Sequence, residues 1–213
     1  MVHNLFGRAD LVIHNSADTS YLKTYQSMRQ SNYQTTRDLI EWCMPRMVPL
    51  HYISTAGVGG YAPGSPLRDV SMRSTPPPSV GDSTGYTACK WASEVFLENL
   101  VKRRPAWPVC VHRPTLISRD DIPQLDAVHN ILGFARKLEA VVSSQGVARG
   151  VMNVVQLDTV VAGIMKCALS HNHGDAGCVH FVNHAGLLEL PLDDMRKWAL
   201  ERTASGDVRF ADV

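Results

Sequence analysis

The chain has no long hydrophobic run, no excess of one charge and no C-x-x-C cysteine spacing. No apolar stretch approaches the roughly 20 residues that cross a bilayer, so no membrane span is expected. Lys plus Arg number 21 against 20 Asp plus Glu. These charges are dispersed, so no basic tract is available for a run of phosphates, and nucleic acid is not an expected partner. The five cysteines are Cys43, Cys89, Cys110, Cys167 and Cys178. An odd, scattered set argues against a disulfide framework and for a reduced intracellular setting. The opening MVHNLFGRAD is neither a basic-then-apolar signal nor an amphipathic Arg-rich presequence. A soluble, cytoplasmic protein is expected. Internal repeats and low-complexity tails are also missing.

What is present is enough for one sizeable core: 213 residues, 45% of them hydrophobic. Leu11-Val12-Ile13 reads as a strand buried on both faces and ending in polar residues. The stretch from about Ser20 to Met44 carries apolar residues spaced mainly for helix, closed by Pro45 and Pro49. Leu50 to Ile53 is a second strand that runs into the small-residue turn Ser54-Thr55-Ala56-Gly57-Val58-Gly59-Gly60. From Tyr61 to Gly85 a long Pro, Gly and Ser-rich loop is expected. A helix follows from about Thr84 to Arg103, then a strand Pro108–His112 ended by Arg113-Pro114. Ala127–Ser143 and Leu157–Ser170 read as helices, Cys178–Val182 as a strand and Leu192–Arg202 as a final helix. Strands alternating with helices predict an α/β protein with a doubly wound parallel sheet.

Tyr86 and Lys90 lie four apart at the start of a helix, so both project from one face. A neighbouring ammonium lowers the pKa of a phenol, which can then pass a proton to a carbonyl oxygen as hydride moves. A hydroxyl on another strand end is needed to hold that oxygen. Thr55 is placed to supply it, and Ser54 less so, because adjacent strand residues face opposite ways. Y-x-x-x-K alone is a weak pattern, more often an exposed helix pair. The order strand, Ser-Thr-Ala turn, long loop, Tyr-x-x-x-Lys helix, strand and Arg-Pro is far more restrictive.

The segments Asp10–Ala17, Asn32–Thr36, Tyr52–Val58, Gly85–Glu94, His112–Thr115 and Val154–Asp158 resemble the extended short-chain dehydrogenases. Within these the chain is similar to the terminal thioester reductase domains of polyketide and nonribosomal peptide synthetases. Gln124–Asn130 and Pro191–Met195 look most like the fungal hybrid synthetases. The resemblance implies an incomplete Rossmann-like sheet in residues 1–118 and a C-terminal part with substrate subdomain elements in 119–213. It implies an NAD(P)-dependent oxidoreductase in which NADPH delivers hydride to a carrier-bound acyl thioester or small carbonyl substrate, releasing aldehyde or alcohol. Tyr86 would donate the proton, Lys90 would tune it and hold the nicotinamide ribose, and Thr55 would bind the carbonyl oxygen. Ser16 and Ala17 would lie against the cofactor, Asn32 would support the site, and Arg113, Pro114 and Thr115 would flank the nicotinamide.

The family begins with a strand, a Gly-rich phosphate turn and a helix, and that fingerprint is not in this sequence. Gly57-Val-Gly-Gly60 follows the threonine and is not G-x-G-x-x-G. Without that turn NADPH binding is expected to be impaired. A truncated, non-redox homologue that cyclises, binds product or assists a synthase is the alternative. Apolar surface exposed where the first strands should lie would predict a homodimer or a complex with a synthase.

Other signals have blander readings. His171, His173, Cys178, His180 and His184 read as a loop and strand with ordinary polar residues, and no metal is expected. Cys89, Trp91 and Trp198 read as packing residues, Asp158 as a helix-start cap, and Pro76-Pro77-Pro78 as a stiff lid.

Overall fold

The computed structural model describes residues 5–20, 22–61, 69–79, 83–118, 137, 151–170 and 177–191. The chain divides into two compact units, one built from residues 1–114 and 163–184, the other from 115–162 and 185–213.

The first unit holds a four-stranded parallel sheet of β1 (Val12–His14), β2 (Leu50–Ile53), β3 (Val109–Pro114) and β6 (His180–His184), in that spatial order. Register pairs Val12 with Leu50, Leu50 with Val109 and Cys110 with His180. Every residue of β2 and β3 is buried, the signature of central strands covered on both faces. Alternation sorts their side chains into two sets. Leu50, Tyr52, Val109 and Val111 join Ile40, Leu97, Val101 and Trp107 in the main core. His51, Cys110 and His112 project to the other side. The indole N–H of the buried Trp107 donates to the Val48 carbonyl at 2.8 Å. The largest core side chain thus brings its polar atom satisfied.

Two helical segments cover the core face. The run expected as one helix from Ser20 to Met44 is broken into α1 (Tyr25–Arg29), a π-helical turn (Gln30–Gln34) and α2 (Thr35–Cys43). Thr24 caps α1 by accepting from the Ser27 N–H. The π turn inserts one residue, and such turns re-aim a side chain at the cost of regular hydrogen bonding. Here the buried side chain of that turn is Asn32. The long helix α3 (Gly85–Arg103) is capped by Thr84, which accepts from the Thr87 N–H. Tyr33 and Phe96 meet edge to face, with ring centroids 6.1 Å apart. This aromatic pair seats the π turn on α3. Helix α4 (Leu157–Leu169) contributes to this unit from Gly163 onward.

The second unit contains a three-stranded sheet of β4 (Leu116–Ser118), β5 (Val151–Gln156) and β7 (Leu188–Pro191). β5 pairs parallel with β4 and antiparallel with β7. These short strands carry too little alternation to be read from sequence, and the antiparallel partner is supplied from far along the chain. Two further corrections concern β3, which runs through Arg113 and Pro114 instead of ending at His112, and β6, which starts at His180 instead of Cys178. The helices expected at 127–143 and 192–202 lie outside the described residues, apart from Lys137.

The close meeting of α1 and α3 rests on Gly85. A Cβ at this position would sit 2.4 Å from the Lys23 carbonyl oxygen and 2.4 Å from the Thr24 carbonyl carbon, both backbone. Gly85→Ala is expected to lower stability by about 1–3 kcal/mol in urea unfolding, since backbone must move to admit the methyl. Gly60→Ala, where nothing lies within 4 Å, is the control and should stay within about 0.5 kcal/mol of the parent.

Candidate functional site

The carboxyl ends of β1, β2 and β3 and the first turns of α3 bring most of the sequence-predicted residues into one neighbourhood. Lys90 projects from α3 to the end of β2, where its ammonium donates to the Ile53 carbonyl at 2.5 Å. That ammonium lies 4.7 Å from the Tyr52 ring centroid and 5.6 Å from the Tyr86 ring centroid. Both separations are within the range of cation–π attraction. Lys90 is 2% exposed. Burial brings its pKa down to about 8, against the upward pull of the Glu94 charge.

Thr55 follows β2 and starts the 3-10 turn Ala56–Tyr61. Its hydroxyl accepts from the Gly57 N–H at 3.2 Å and its carbonyl from the Val58 N–H. A Cβ placed on Gly57 would lie 3.5 Å from Thr55 Oγ1 and 3.6 Å from Thr87 Cγ2, so the threonine sits beside the first turn of α3 that carries Tyr86. Ser54 faces the other way, as alternation requires, and donates to Glu94 at 2.5 Å.

Asn32 holds the segment after β1. Its Oδ1 accepts from the Asp18 N–H at 2.7 Å and its Nδ2 donates to the Asp18 carbonyl at 2.9 Å, which pins the loop bearing Ser16 and Ala17. Ser16 is exposed and Ala17 half-buried. His14, at the end of β1, is fixed by the same layer. Thr36 donates to the Asn32 carbonyl at 2.8 Å, and His14 Nε2 lies 3.0 Å from Thr36 Oγ1. A hydroxyl has one hydrogen to give, so the contact with His14 requires the proton on Nε2. Burial, and after it the charge of Lys90, lowers the His14 pKa to about 4.

Arg113 is engaged more deeply than the sequence suggests. Its guanidinium is fully buried and grips Glu94 through Nε at 3.2 Å and an Nη at 2.6 Å. The same Nη donates to the Val70 carbonyl at 2.9 Å, and the cation lies 4.2 Å from the centroid of the Phe181 ring. Burial raises the Glu94 carboxyl, while Arg113 and Ser54 pull it back. The fork-to-fork geometry is that of an ionised pair. Pro114 ends β3. Thr115, in the second unit, donates its hydroxyl to Asn153 Oδ1 at 2.9 Å.

Residues 71–75 of the loop between the Ser-Thr-Ala turn and α3 are tied down on that helix. Glu98 accepts from the Met72 N–H at 2.8 Å and from the Ser71 hydroxyl, and the Trp91 indole donates to Thr75 at 2.9 Å. Beside it opens a cavity of about 800 Å³ lined by Tyr25, Pro77, Pro78, Ala88, Trp91 and neighbours. It lies on a different stripe of α3 from Tyr86 and Lys90. Cys89 is buried and its thiol is pushed up to about 11 by that burial, the opposite of an activated nucleophile. Sequence reasoning missed Glu94, Glu98 and the buried histidines His14, His51 and His112; their one local signal is placement on apolar strands and helix faces. Of the metal-capable set named from sequence, His171 and His173 lie outside the described residues.

As to a dinucleotide, the buried Lys90 and the half-buried Tyr86 and Thr55 offer hydrogen-bonding groups near strand carboxyl ends, which suits the nicotinamide ribose and a carbonyl. The glycines of Gly57–Gly60 are wound into the 3-10 turn with Gly59 buried, and so form no phosphate cradle among the described residues.

A parallel sheet with helices on its faces and polar residues gathered at the strand carboxyl ends defines a Rossmann-like α/β protein. The chain belongs to the NAD-binding family described as male sterility protein, whose profile matches residues 1–164. It is 37% identical over 198 residues to the polyketide synthase-nonribosomal peptide synthetase ffsA of Aspergillus flavipes, a match covering 93% of this chain. It is 35% identical to the hybrid synthetase psoA of Aspergillus fumigatus, again over 93% of the chain. The chain spans 5% of the length of each of these relatives. Among solved structures, the terminal R domain of the myxalamid PKS-NRPS pathway matches with a TM-score of 0.74 at 22% identity, covering 95% of this chain and 49% of that one. MoeE5 in complex with UDP-glucuronic acid and NAD matches with a TM-score of 0.70 at 17% identity, over 95% and 65%. These structural likenesses establish the fold. No described helix is long and apolar enough to cross a membrane.

The buried groups of this neighbourhood lead to measurable effects on stability. Glu94→Ala strands a buried guanidinium and is expected to cost about 3–5 kcal/mol, whereas Glu94→Leu combined with Arg113→Met should recover most of the loss in chemical unfolding. His14 stays neutral in the fold while the unfolded histidine takes a proton below its ordinary pKa of 6.5. Its contribution is therefore present above pH 6.5 and lost as pH falls toward about 4. The loss runs at up to roughly 1.4 kcal/mol per pH unit. Unfolding curves of the parent should lose stability over that window faster than those of His14→Gln.

Proposed function

We propose that this chain carries the proton-donating and carbonyl-binding part of an NADPH-dependent reductase that releases a carrier-bound polyketide-peptide thioester as an aldehyde or alcohol. The observation that carries the reading is the buried Lys90 ammonium, 4.7 and 5.6 Å from the Tyr52 and Tyr86 ring centroids and bonded to Ile53 at the end of β2, two residues before Thr55. An ammonium held there without solvent stabilises negative charge on a phenol far better than an exposed one. Tyr86 gives its proton to the carbonyl oxygen, and Thr55 holds that oxygen by its hydroxyl. Lys90 tunes Tyr86 and anchors the nicotinamide ribose. Asn32 keeps the loop with Ser16 and Ala17 in place against the cofactor, and Pro114 flanks the nicotinamide. Arg113 acts here as a positioning residue, through Glu94, for the helix that bears Tyr86 and Lys90. The dihydronicotinamide, when bound, supplies the hydride. The substrate class rests on the names of the relatives, which are polyketide synthase-nonribosomal peptide synthetases, and a carrier domain is the matching partner.

The test is a fluorescence titration with NADPH followed by turnover of an acyl thioester. Binding in the micromolar range with consumption of NADPH is expected. Tyr86→Phe should lower kcat by about 100- to 10,000-fold with NADPH affinity retained, and Thr55→Ala by about 100- to 1,000-fold. Because the ammonium form is needed, activity should fall as pH rises through about 8. Absence of any NADPH response would sink the reductase reading and leave a non-redox homologue that cyclises or binds the thioester.

A further inference from the structure

On the sheet face turned away from the main core, three soft or borderline donors meet a fourth on helix α4. Side-chain alternation puts His51 on β2 with Cys110 and His112 on β3, and register pairs His51 directly with Cys110. Cys167, on α4, completes the set. One donor atom from each of the four residues lies within 4.8 Å of every other. We propose that His51, Cys110, His112 and Cys167 form a structural tetrahedral site for zinc, in a place that takes no part in the chemistry at Tyr86 and Lys90.

Spacing, chemistry and support all favour the ion. Cys110 Sγ and Cys167 Sγ are 3.5 Å apart, and His51 Nδ1 and His112 Nε2 are 2.9 Å apart. With Zn–S near 2.3 Å and Zn–N near 2.0–2.1 Å, a tetrahedron has S–S and N–N edges of about 3.8 and 3.3 Å. These two edges need to open by about 0.3–0.4 Å, while the sulfur–nitrogen edges, which lie within 4.8 Å, settle toward about 3.6 Å by side-chain rotation. Two thiolates and two neutral imidazoles neutralise the dication, and an S₂N₂ set selects zinc over hard cations. His112 is oriented from behind, with Nδ1 and His184 Nε2 at 2.9 Å. That is the outer contact a metal-ligating histidine needs. Gly163 lets α4 approach that layer, since a Cβ there would lie 2.8 Å from His184 Nδ1. His51, Cys110 and His112 are buried while Cys167 is half-buried, which gives an ion a way in along α4. Four protein ligands leave no open position, so the role is to clamp α4 on β2 and β3.

The test uses the reduced full chain and Co(II) alone as probe, followed by displacement with Zn(II). The expected result is one Co(II) per chain, with the strong visible bands of tetrahedral cobalt and a thiolate charge-transfer band, both lost on adding zinc. Cys167→Ser should remove the charge-transfer intensity contributed by its sulfur and weaken binding by at least about tenfold. His184→Gln should weaken it about 10- to 100-fold, and Cys178→Ser, outside the set, should leave it unchanged. If Cys167→Ser does not fold, zinc-edge X-ray absorption of the parent decides, with two sulfur and two nitrogen neighbours expected. A weak octahedral cobalt spectrum, a spectrum unaltered in Cys167→Ser, or a zinc shell lacking two sulfurs would overturn the proposal.

Discussion

The arrangement depends on a single buried ion pair. Arg113 at the end of β3 and Glu94 on α3 are both fully buried, and removing two charges from water is costly unless each finds complete partners. The surroundings provide them: Glu94 also accepts from Ser54 at the end of β2, and Arg113 also donates to Val70 in the loop and stacks on Phe181 of β6. Two strand ends, one helix and one loop are therefore held by a common cluster whose members cannot move separately. Lys90 sits one helical turn before Glu94, so the cluster that sets the helix also sets the distance of the ammonium from the end of β2. Positioning of Tyr86 follows from the same constraint.

The first sheet uses its two sides differently. Toward α2 and α3 it is apolar, with Leu50, Tyr52, Val109 and Val111 packed around Trp107. Toward α4 it presents Cys110 and histidines, and the histidines form a continuous row of ring contacts and hydrogen bonds from His51 through His112 to His184. Burial lowers the His112 pKa to about 3, with His51, His184 and His180 adding to the effect, and burial also lowers that of His184. Polar residues are tolerated there because each finds a partner across the strands. Period-two alternation alone separates a packing face from a face with ligand chemistry.

Much of this architecture was legible from residue patterns. Continuous apolar runs marked β1, β2 and β3, Thr84 and the apolar spacing after it marked α3, and Tyr86 with Lys90 and Thr55 marked the neighbourhood where the strand ends gather. Other features were not legible. The π turn at Gln30–Gln34 leaves no local signature, because it is stabilised by what Asn32 reaches in the loop after β1. The second sheet was missed because β5 gains its partners from segments distant in sequence. The Arg113–Glu94 pair was missed, since nothing in His-Arg-Pro-Thr reveals a carboxylate 19 positions earlier.

What the sequence determined by itself was the local grammar: the strands of the first sheet and the long helix α3, which residues share a helix face, and which family the motifs resemble. These depend on periodicity and capping, which act over a few residues. The tertiary structure alone decided which charges pair in the interior, which histidines line up across β2, β3 and β6, and that Cys167 meets Cys110. Such contacts join residues 19 to 72 positions apart, and only the packing of parallel strands under helices brings them within bonding distance.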